Sequence, residues 1–569
     1  MKIRYLLLLP LTTMSLATEV TPKIVGGEDA VQDYPWMAGL HEYIPATGEY
    51  YVEPFCGGSL IAPGWVVSAA HCFTDPGSGG NPSSYSPPAD ELIVRLDSPD
   101  LSDDPEHLVQ RIIAHPQYGV ADGSDDSDIV LIQLSSKTVF DTVSLANNAI
   151  MSELESSSLL DDVVQAIGWG VYDGEGFTVI KGAASGDQPD FLQIVALDYL
   201  PFSEKKCRTA WDGLTTNMIC AWEPQPDADD TFGEDACFGD SGGPLLLPEN
   251  TLLSSGRTSH EWLLGATSFG SVACNSIKTP GIYTRMASFE SWIEGTTANA
   301  GDALVDVVAT LDQPAAARPA QAFNFDVGIA NNSKLNSASD AIFEVTAANT
   351  TLTPVNATGC SNIANGWRCN VATLTAGQQV QRTFTATWLG ADDSSLQTDL
   401  QVFANQDDYR IGNNTVSATT DVTFLPDPFL TAPVVNRNRD GRASITVTAG
   451  NLSSINSVTD ATVIVELPND LGATGYPPCE LAEAPSRFIC DLGTLDPEDE
   501  VLLDFDLKGV GTFLLPITLQ STGDIHPGDT SKTLEITLKR SSDSGSALPL
   551  VALMLLLYRR RNWRNQPSN

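Results

Sequence analysis

Ten cysteines that occur as five close pairs constrain this chain more than any other feature. No pair has the C-x-x-C spacing that is typical of zinc ligands or redox sites. An even number of cysteines in an exported protein favours disulfides over metal binding. The sequence therefore predicts five local disulfides, from the pairs Cys56/Cys72, Cys207/Cys220, Cys237/Cys274, Cys360/Cys369 and Cys479/Cys490.

The first 17 residues predict that the chain is exported. The cations Lys2 and Arg4 precede the apolar stretch Leu6–Leu11, and the small residues Ser15 and Ala17 follow. This order is typical of a signal peptide that is cleaved near Ala17. A short buried helix is the alternative, but the stretch has no amphipathic period. We therefore expect a secreted or extracellular protein.

The charge of the chain excludes one class of partner. Its 569 residues include 30 Lys and Arg against 72 Asp and Glu, which gives a net charge of −42. Such a charge repels nucleic acid phosphates and anionic lipids, so we expect no nucleic acid partner. At about 150 residues per domain, the length predicts three or four folded units.

Residues 24–297 have the pattern of an all-β domain. Short apolar runs alternate with Gly and Pro, as between Gly58 and Val67. This punctuation predicts short strands in an antiparallel β-barrel or sandwich. Helical periodicity is scarce, and only the stretch Phe289–Ile293 predicts a short closing helix.

Two similar units follow, at residues 303–424 and 425–540. Each has a cysteine pair, then a Thr-Leu turn and an alternating strand, Val380–Trp388 in the first and Val501–Leu507 in the second. A repeat of about 115–120 residues is the size of a β-sandwich. The units resemble bacterial surface modules with an immunoglobulin-like fold. A binding role and a passive spacer role stay equally open.

The last segment, residues 541–569, resembles the C-terminal sorting tags of exported Gram-negative bacterial proteins. Small residues precede the apolar run Ala547–Leu557 and the cations Arg559–Arg561. The run is shorter than the ~20 residues that a membrane-spanning helix needs. Ser544–Ser546 stands where such a tag usually has Gly-Gly. The resemblance predicts anchoring at the cell surface, and a frayed tail helix is the alternative.

Ser241 has the setting of a nucleophile in the run Gly239–Pro244. A hydroxyl needs a base to remove its proton, and its carbonyl target needs donors where negative charge develops. Flanking glycines allow backbone N–H groups to turn towards one point. A surface turn is the alternative interpretation of this run.

His71 and Asp128 have settings that fit the base and its partner. His71 follows small alanines and precedes Cys72, which indicates a packed strand end. Asp128 directly precedes the apolar run Ile129–Ile132, and a carboxylate at the start of a buried strand can orient an imidazole. We expect the preceding Asp125 and Asp126 to be solvated.

Seven segments together resemble the chymotrypsin/trypsin family of serine proteases. The three residues occur in that family's order, His before Asp before Ser. The resemblance covers roughly half of the chain and implies a double antiparallel β-barrel with serine endopeptidase activity. The segments are Ile24–Gly27, Cys56–Ser59, Ala69–Cys72, Asp128–Leu131, Gly168–Gly170, Gly239–Pro244 and Pro280–Tyr283.

The resemblance implies a role for each residue of the site. Ser241 would attack the carbonyl carbon, His71 would carry the proton, and Asp128 would orient His71. The N–H groups of Gly239 and Ser241 would form the oxyanion hole. Ser268 matches the residue that supports the Asp and lines the groove. The family usually has Trp where this chain has Phe269, so preferences upstream of the cut are left open.

The resemblance also places Asp235 at the floor of the primary pocket. Gly270 and Gly281 match the wall positions that must lack side chains. A buried carboxylate at the end of an open slot favours a long cation, so we expect cleavage of proteins or peptides after Arg or Lys. Glu234 is the other candidate for the residue at the pocket floor. The alternative interpretation is a solvated Glu-Asp pair in a loop.

Activation would follow cleavage of the Lys23-Ile24 bond, which removes residues 18–23. In the family the new amine pairs with the Asp before the serine, here Asp240, so we expect an inactive precursor. Self-activation and an activating protease both stay open. The resemblance further implies that Cys56–Cys72 braces His71 and that Cys237–Cys274 ties the pocket walls.

Two other hypotheses remain beside an active protease. One is a catalytically dead adhesin, against which the intact triad argues. The other is a surface protein whose protease domain only matures its own chain. No cofactor or metal is implied, because we find no EF-hand-like spacing among the carboxylates.

Overall fold

The computed structural model describes most of the chain between residues 27 and 540. The described ranges are 27–30, 32–76, 84–97, 105–120, 125–156, 160–170, 191–223, 234–253, 256–258, 260–271, 274, 278–317, 321–389, 394–422, 426–453, 456–483, 486–522 and 529–540. The predicted signal peptide, the activation segment with Lys23 and Ile24, and the tail at 541–569 lie outside them. The chain divides into two compact units near residue 421.

Strands dominate residues 28–285, as the sequence pattern predicts. They are β1 Glu28–Asp29, β2 Met37–Ile44, β3 Glu49–Tyr50, β4 Cys56–Ala62, β5 Trp65–Ser68, β6 Leu92–Leu96, β7 Glu106–Ala114, β8 Val130–Leu134, β9 Ser144–Leu145, β10 Val164–Gly168, β11 Gln193–Leu200, β12 Met218–Trp222, β13 Pro244–Leu247, β14 Leu252–Leu253, β15 Gly256–Arg257, β16 Trp262–Phe269 and β17 Gly281–Arg285. Within the described residues up to 299, three α-helices accompany them: α1 Asn148–Ser156, α2 Lys205–Arg208 and α3 Glu290–Asn299.

Two closed barrels account for most of these strands. In the first barrel the order is β2-β4-β5-β8-β7-β6, and β6 closes it by pairing with β2. In the second the order is β11-β10-β13-β16-β17-β12, and β12 closes it on β11. Neighbouring strands in both rings are antiparallel, and closure leaves no free sheet edge. The predicted all-β double barrel is therefore confirmed.

The predicted closing helix is also present and is longer than the pattern indicated. It is α3, which begins at Glu290 and ends at Asn299. Ile293 and Thr297 are buried on one face, one turn apart. A helix with so few apolar residues depends on this packing rather than on propensity.

Residues 307–422 form a first sheet pair within the same unit. Its strands are β18 Val307–Asp312, β19 Ala316–Ala317, β20 Phe323–Asn331, β21 Ala338–Ala347, β22 Thr350–Pro354, β23 Cys360–Ile363, β24 Gly366–Leu374, β25 Gln379–Trp388, β26 Ser394–Phe403 and β27 Thr415–Val422. One sheet has the order β18-β20-β25-β22, and the other β19-β27-β26-β21-β24-β23. Phe343 of β21 contacts Phe384 of β25, with ring centroids 6.3 Å apart, so the sheets share a core.

Residues 428–538 form a second sheet pair, which is a separate unit. Its strands are β28 Pro428–Leu430, β29 Val434–Arg439, β30 Arg442–Asn451, β31 Val458–Glu466, β32 Gly472–Gly475, β33 Cys479–Glu483, β34 Ser486–Leu495, β35 Glu500–Lys508, β36 Gly511–Thr522 and β37 Ser531–Leu538. The orders are β28-β30-β35-β32, with β29 on β30, and β33-β34-β31-β36-β37. Phe488 and Phe505, from opposite sheets, lie 5.1 Å apart.

The two sheet pairs repeat one buried polar arrangement. Asn331 donates through Nδ2 to the carbonyls of Asn336 and Leu374, both at 2.9 Å. Asn451 is buried in the same way and bonds the corresponding carbonyls of Asn456 and Leu495. This repetition agrees with the tandem pattern in the sequence. The immunoglobulin-like assignment stays a prediction.

All five predicted cysteine pairs form disulfides in the structure. They are Cys56–Cys72, Cys207–Cys220, Cys237–Cys274, Cys360–Cys369 and Cys479–Cys490. In each sheet pair the two cysteines lie directly opposite on adjacent strands. No helix in the described part of the chain has the length and apolar content that crossing a bilayer requires.

Candidate active site

Neighbouring strands of the first barrel bring His71 and Asp128 together. His71 lies in a 3₁₀ turn, Ala70–Cys72, that follows β5, and Asp128 lies just before β8. Because β5 and β8 are paired, the end of one strand meets the start of the other. His71 Nδ1 lies 2.7 Å from Asp128 Oδ2, and the His71 backbone N–H donates to Oδ1 at 2.9 Å. Two bonds to one carboxylate fix the direction of the imidazole.

The second barrel holds the Asp128 side of this pair. Ser268 Oγ, near the end of β16, donates to Asp128 Oδ2 at 2.5 Å. Thr284 Oγ1, on β17, donates to the Asp128 carbonyl at 2.7 Å. Sequence reasoning identified Ser268 but missed Thr284, since nothing in its strand pattern distinguishes it. The carboxylate is thus oriented by both barrels.

The pKa of His71 is raised above its usual value. Burial by itself lowers the pKa, but the charge of Asp128 and the hydrogen bond to it raise the pKa by more. The charge of Asp125 adds to this increase. A raised pKa makes the imidazole a stronger base, which suits proton removal from a hydroxyl.

The turn around Ser241 leaves two backbone N–H groups available. Gly239 has φ 104° and Gly242 has φ 75°, conformations that L side chains rarely adopt. The N–H groups of Asp240, Gly242 and Gly243 all donate within the protein. Those of Gly239 and Ser241 donate to no residue that the structure describes. Neither group is therefore engaged by a described residue, which is a condition for binding an oxyanion.

Ser241 lies beside the disulfide that flanks His71. The Ser241 carbonyl accepts from the Gly57 N–H at 2.8 Å, and Cys72 Sγ lies 3.9 Å from the same oxygen. Cys72 follows His71 and is bonded to Cys56, next to Gly57. The fold therefore brings the chain at Ser241, His71 and Asp128 to one place between the barrels.

Asp235 lies between the two glycines that the sequence placed around it. Its side chain is buried, and the Ala236 N–H donates to Oδ1 at 2.9 Å. A Cβ atom added at Gly281 would lie 2.8 Å from Asp235 Oδ1, and one added at Gly270 would lie 3.9 Å from Oδ2. Burial raises the pKa of Asp235 well above its usual value, and Asp240 adds to the effect. A cation that entered beside it would favour the ionised carboxylate.

Asp240 is a second buried carboxylate, on the inner side of the serine turn. Its Oδ1 accepts from the Gly170 N–H at 2.7 Å, and its Oδ2 accepts from the Cys237 N–H at 2.8 Å. Burial raises its pKa to about 6, although both hydrogen bonds lower it. No cation pairs with it among the described residues, and Ile24 lies outside them.

Trp211 is an aromatic residue of this region that the sequence did not reveal. Its ring contacts Phe269 edge-on, with centroids 5.8 Å apart, and its Nε1 donates to the Pro280 carbonyl at 3.4 Å. Phe269 and Pro280 directly precede Gly270 and Gly281. Trp211 therefore links the two segments that flank Asp235.

Asp125 and Asp126, which precede Asp128, are less exposed than the sequence predicted. Asp126 was expected to be solvated, which is wrong: it is partly buried, and its Oδ1 accepts from Thr215 Oγ1 and Asn217 Nδ2 at 2.9 and 3.1 Å. Asp125 is likewise only partly exposed. The difference arises because a loop of the second barrel supplies donors that the local sequence cannot show.

One cluster of carboxylates is close enough to hold a cation. Oxygens of Asp162, Asp198 and Glu223 lie within 4.8 Å of one another. Asp198 already accepts from the Asp162 N–H, and exposed acidic groups of this kind are common. We assign no metal to it.

Comparison with known proteins gives a consistent picture of residues 24–293, which match the family model for trypsin. The chain is 32% identical over 284 residues to a trypsin of Squalus acanthias, covering 49% of this chain and 97% of that protein. It is 29% identical over 291 residues to a trypsin of Phaedon cochleariae, covering 50% and 93%. It is 30% identical over 283 residues to a urokinase-type plasminogen activator of Gallus gallus, covering 48% of this chain and 57% of that protein.

The matched region is the part of the chain that forms the two barrels. The Squalus acanthias trypsin is matched over nearly its whole length, so the similarity extends well beyond the serine motif. The chain therefore belongs to the trypsin family, and it is a trypsin-like serine endopeptidase.

Proposed function

We propose that the chain is a secreted endopeptidase that cleaves after Arg or Lys and is made as an inactive precursor. The observation that carries the specificity is the buried Asp235 carboxylate between Gly270 and Gly281. A buried carboxylate without a cation is costly, so a substrate that brings one is favoured. Walls without side chains leave room for a long cationic stem.

The reaction uses Ser241, His71 and Asp128 in the roles that the resemblance implies. Ser241 Oγ attacks the carbonyl carbon while His71 accepts its proton, and the N–H groups of Gly239 and Ser241 bind the oxyanion. His71 then gives the proton to the leaving amine, which departs and leaves an acyl-enzyme. Water, deprotonated by His71, releases the acid product and restores Ser241. The 2.7 Å contact between His71 and Asp128 supports this assignment.

The specificity is tested by profiling cleavage of a peptide library with wild-type and Asp235→Ser enzyme. We expect the variant to lose its preference for Arg and Lys while it retains turnover of other peptides. Glu234→Gln is the matched control, because Glu234 is the adjacent acidic residue. If Glu234→Gln lost the preference and Asp235→Ser kept it, the pocket assignment would be wrong. Ser241→Ala measures the turnover that remains without the serine nucleophile.

The activation step concerns Lys23, Ile24 and Asp240. Cleavage after Lys23 would give Ile24 a free ammonium group, and the buried Asp240 would be its partner. A carboxylate whose pKa is raised to about 6 by burial gains most from such a cation. The test is a Lys23→Ala precursor, verified as uncleaved by N-terminal sequencing. It should hydrolyse an Arg ester far more slowly than the processed wild type.

Export and surface location complete the proposal. The chain is secreted through the signal peptide at residues 1–17, and five disulfides support an oxidising compartment. The sheet pairs are immunoglobulin-like modules, and residues 541–569 act as a bacterial sorting tag that anchors the protein. Fractionation of cells that express the chain with and without residues 541–569 tests the anchor, since deletion should release activity into the medium.

A further inference from the structure

A loop of the first sheet pair is buried in the protease region. Tyr409, between β26 and β27, is fully buried in the apolar core that includes Leu145, Ile293 and Leu304. Its hydroxyl donates to Glu294 Oε1 on α3 at 2.7 Å. Its carbonyl accepts from the Leu145 N–H at 3.1 Å. A side chain of the sheet pair thus completes the core of the barrels.

The next residue, Arg410, is a buried cation whose partners come from both regions. Its side chain is 1% exposed and donates to Glu290 of α3 through Nη2. Nη1 donates to Asp306 Oδ2 at 2.5 Å, and Nε donates to the Leu145 carbonyl at 2.7 Å. Glu290 and Asp306 are 4% and 0% exposed. Glu290 also pairs with Lys334 Nζ, from another loop of the same sheet pair, at 3.1 Å. Among the described residues, the cations that compensate Glu290 and Asp306 therefore all come from the sheet pair.

A second carboxylate of α3 binds another loop of the same sheet pair. Glu294 is fully buried, and its oxygens accept from the backbone N–H groups of Lys334 and Leu335 at 2.8 and 2.6 Å. Asn336 Nδ2 donates to the carbonyls of Glu294 and Leu304 at 3.1 and 2.8 Å. The surface of α3 is therefore shaped to receive the sheet pair.

The docking point is connected to the active site by a single strand. Leu145 lies on β9, which pairs with the first residues of β16, Trp262 and Leu263. The same strand carries Ser268, which supports Asp128, near its other end. The sheet pair therefore stabilises the strand from the end that is remote from the reacting groups.

Buried acidic side chains are rarely found without a partner, because desolvation of an unpaired charge costs several kcal/mol. An isolated protease region would leave Glu290 and Glu294 without their partners and would expose the apolar residues around Leu145. We infer that the first sheet pair is an obligate part of the enzyme's folded core, docked through Tyr409 and Arg410. It and the two barrels unfold as one cooperative unit. This excludes a passive spacer role for residues 307–422.

The test is segment-resolved hydrogen exchange on the full-length protein over a urea series. We expect peptides from α3 and β16 to lose protection at the same urea concentration as peptides from β20 and β25. Peptides from the second sheet pair serve as an internal comparison. Separate midpoints for the barrels and the first sheet pair in the wild type would overturn the inference.

Variants then assign the coupling to the buried cation. In Arg410→Met, the opening equilibrium constants of the barrels and of the first sheet pair should rise together, on the order of 10²–10³-fold. Arg368→Met is the matched control, because Arg368 pairs with Glu344 at a half-exposed site. Arg368→Met should change these opening equilibrium constants by less than about 5-fold.

The inference fails if Arg410→Met loosens only the sheet pair, or if it changes the barrels no more than Arg368→Met does. Should Arg410→Met not accumulate as a folded protein, Glu290→Gln removes one partner charge while it keeps an acceptor oxygen. It should loosen both regions by the same factor. Loosening of α3 alone would equally contradict the inference.

Discussion

Gly281→Ala is the substitution whose consequence the structure specifies most closely. The added Cβ would lie 2.8 Å from Asp235 Oδ1 and 3.4 Å from Tyr283 Cε2. Asp235 and Tyr283 are both buried, and the Ala236 N–H holds the same carboxylate oxygen at 2.9 Å. Neither neighbour can move without losing a contact. The methyl group therefore strains the folded protein and occupies the end of the primary pocket beside Asp235.

The size of the effect follows from the cost of an overpacked site, about 1–3 kcal/mol. We expect kcat/KM for Arg and Lys substrates to fall by about 5–150-fold, because a substrate side chain that enters the pocket is overpacked against the added methyl group by a similar amount. The unfolding temperature should fall too, because the clash exists without substrate. The assay is hydrolysis of fluorogenic Arg and Lys peptides, with active sites counted by a small serine-directed reagent that does not fill the slot.

Gly270→Ala is the matched control. Its Cβ would lie 3.6 Å from Gly281 Cα and 3.9 Å from Asp235 Oδ2, which are ordinary van der Waals distances. This variant should keep the wild-type unfolding temperature and lose activity only through the narrower slot. If Gly281→Ala cut Arg substrates at the wild-type rate, or if both variants were equally stable, the assignment of the slot would be refuted.

Three further predictions concern the charges and the buried amide. Ser268→Ala removes the donor to Asp128 Oδ2, which leaves more negative charge on the carboxylate that faces His71. The pKa of His71 should therefore rise further and move the acidic limb of the pH profile of kcat/KM to higher pH. An acidic limb at the wild-type pH would contradict this. Asp240→Asn should abolish activity of the processed enzyme. In the uncleaved precursor, the unfolding free energy of Asp240→Asn relative to wild type should rise by up to about 3 kcal/mol between about pH 3 and pH 7, because ionisation of the wild-type carboxyl, whose pKa burial raises to about 6, destabilises the folded form. Urea titrations measure this difference, which should be smallest below about pH 3, where the wild-type carboxyl is protonated in both states; a difference that did not change with pH would refute the reasoning. Asn331→Ala removes this donor from one buried and one partly buried carbonyl and should cost about 2–4 kcal/mol in urea unfolding, whereas a cost below about 0.5 kcal/mol would show that the amide does not stabilise the sheet pair.

The motifs alone indicated most of the residues that we propose for the catalytic site. The settings of Ser241, His71 and Asp128 required no structure, because nucleophile, base and carboxylate each need a particular local chain. The cysteine pairs could also be predicted from the sequence, because the ten cysteines fall into local pairs and the resemblance to the trypsin family implies the three pairs of the barrel region. Asp235 was proposed from its register with the serine motif, as the resemblance to the trypsin family implies.

Contacts between distant segments could not be predicted from the sequence. Thr284 supports the Asp128 carbonyl, and Trp211 links the segments on either side of Asp235, yet each looks like an ordinary residue in its own strand or loop. Asp126 was misjudged because its donors come from a loop about ninety residues away in sequence. Their roles depend on which elements the barrels place side by side.

The sequence by itself determined which chemistry the chain can perform, because the reacting groups lie in short motifs with their own backbone requirements. Only the tertiary structure showed that the first sheet pair packs against the barrels. Arg410 lies 120 positions beyond Glu290 in an unremarkable loop, and its burial against that carboxylate joins the first sheet pair to the barrels. The physical reason is that a local sequence pattern reflects only the backbone and side-chain requirements of its own segment. Which buried charges pair with each other depends on contacts between segments that are distant in the sequence.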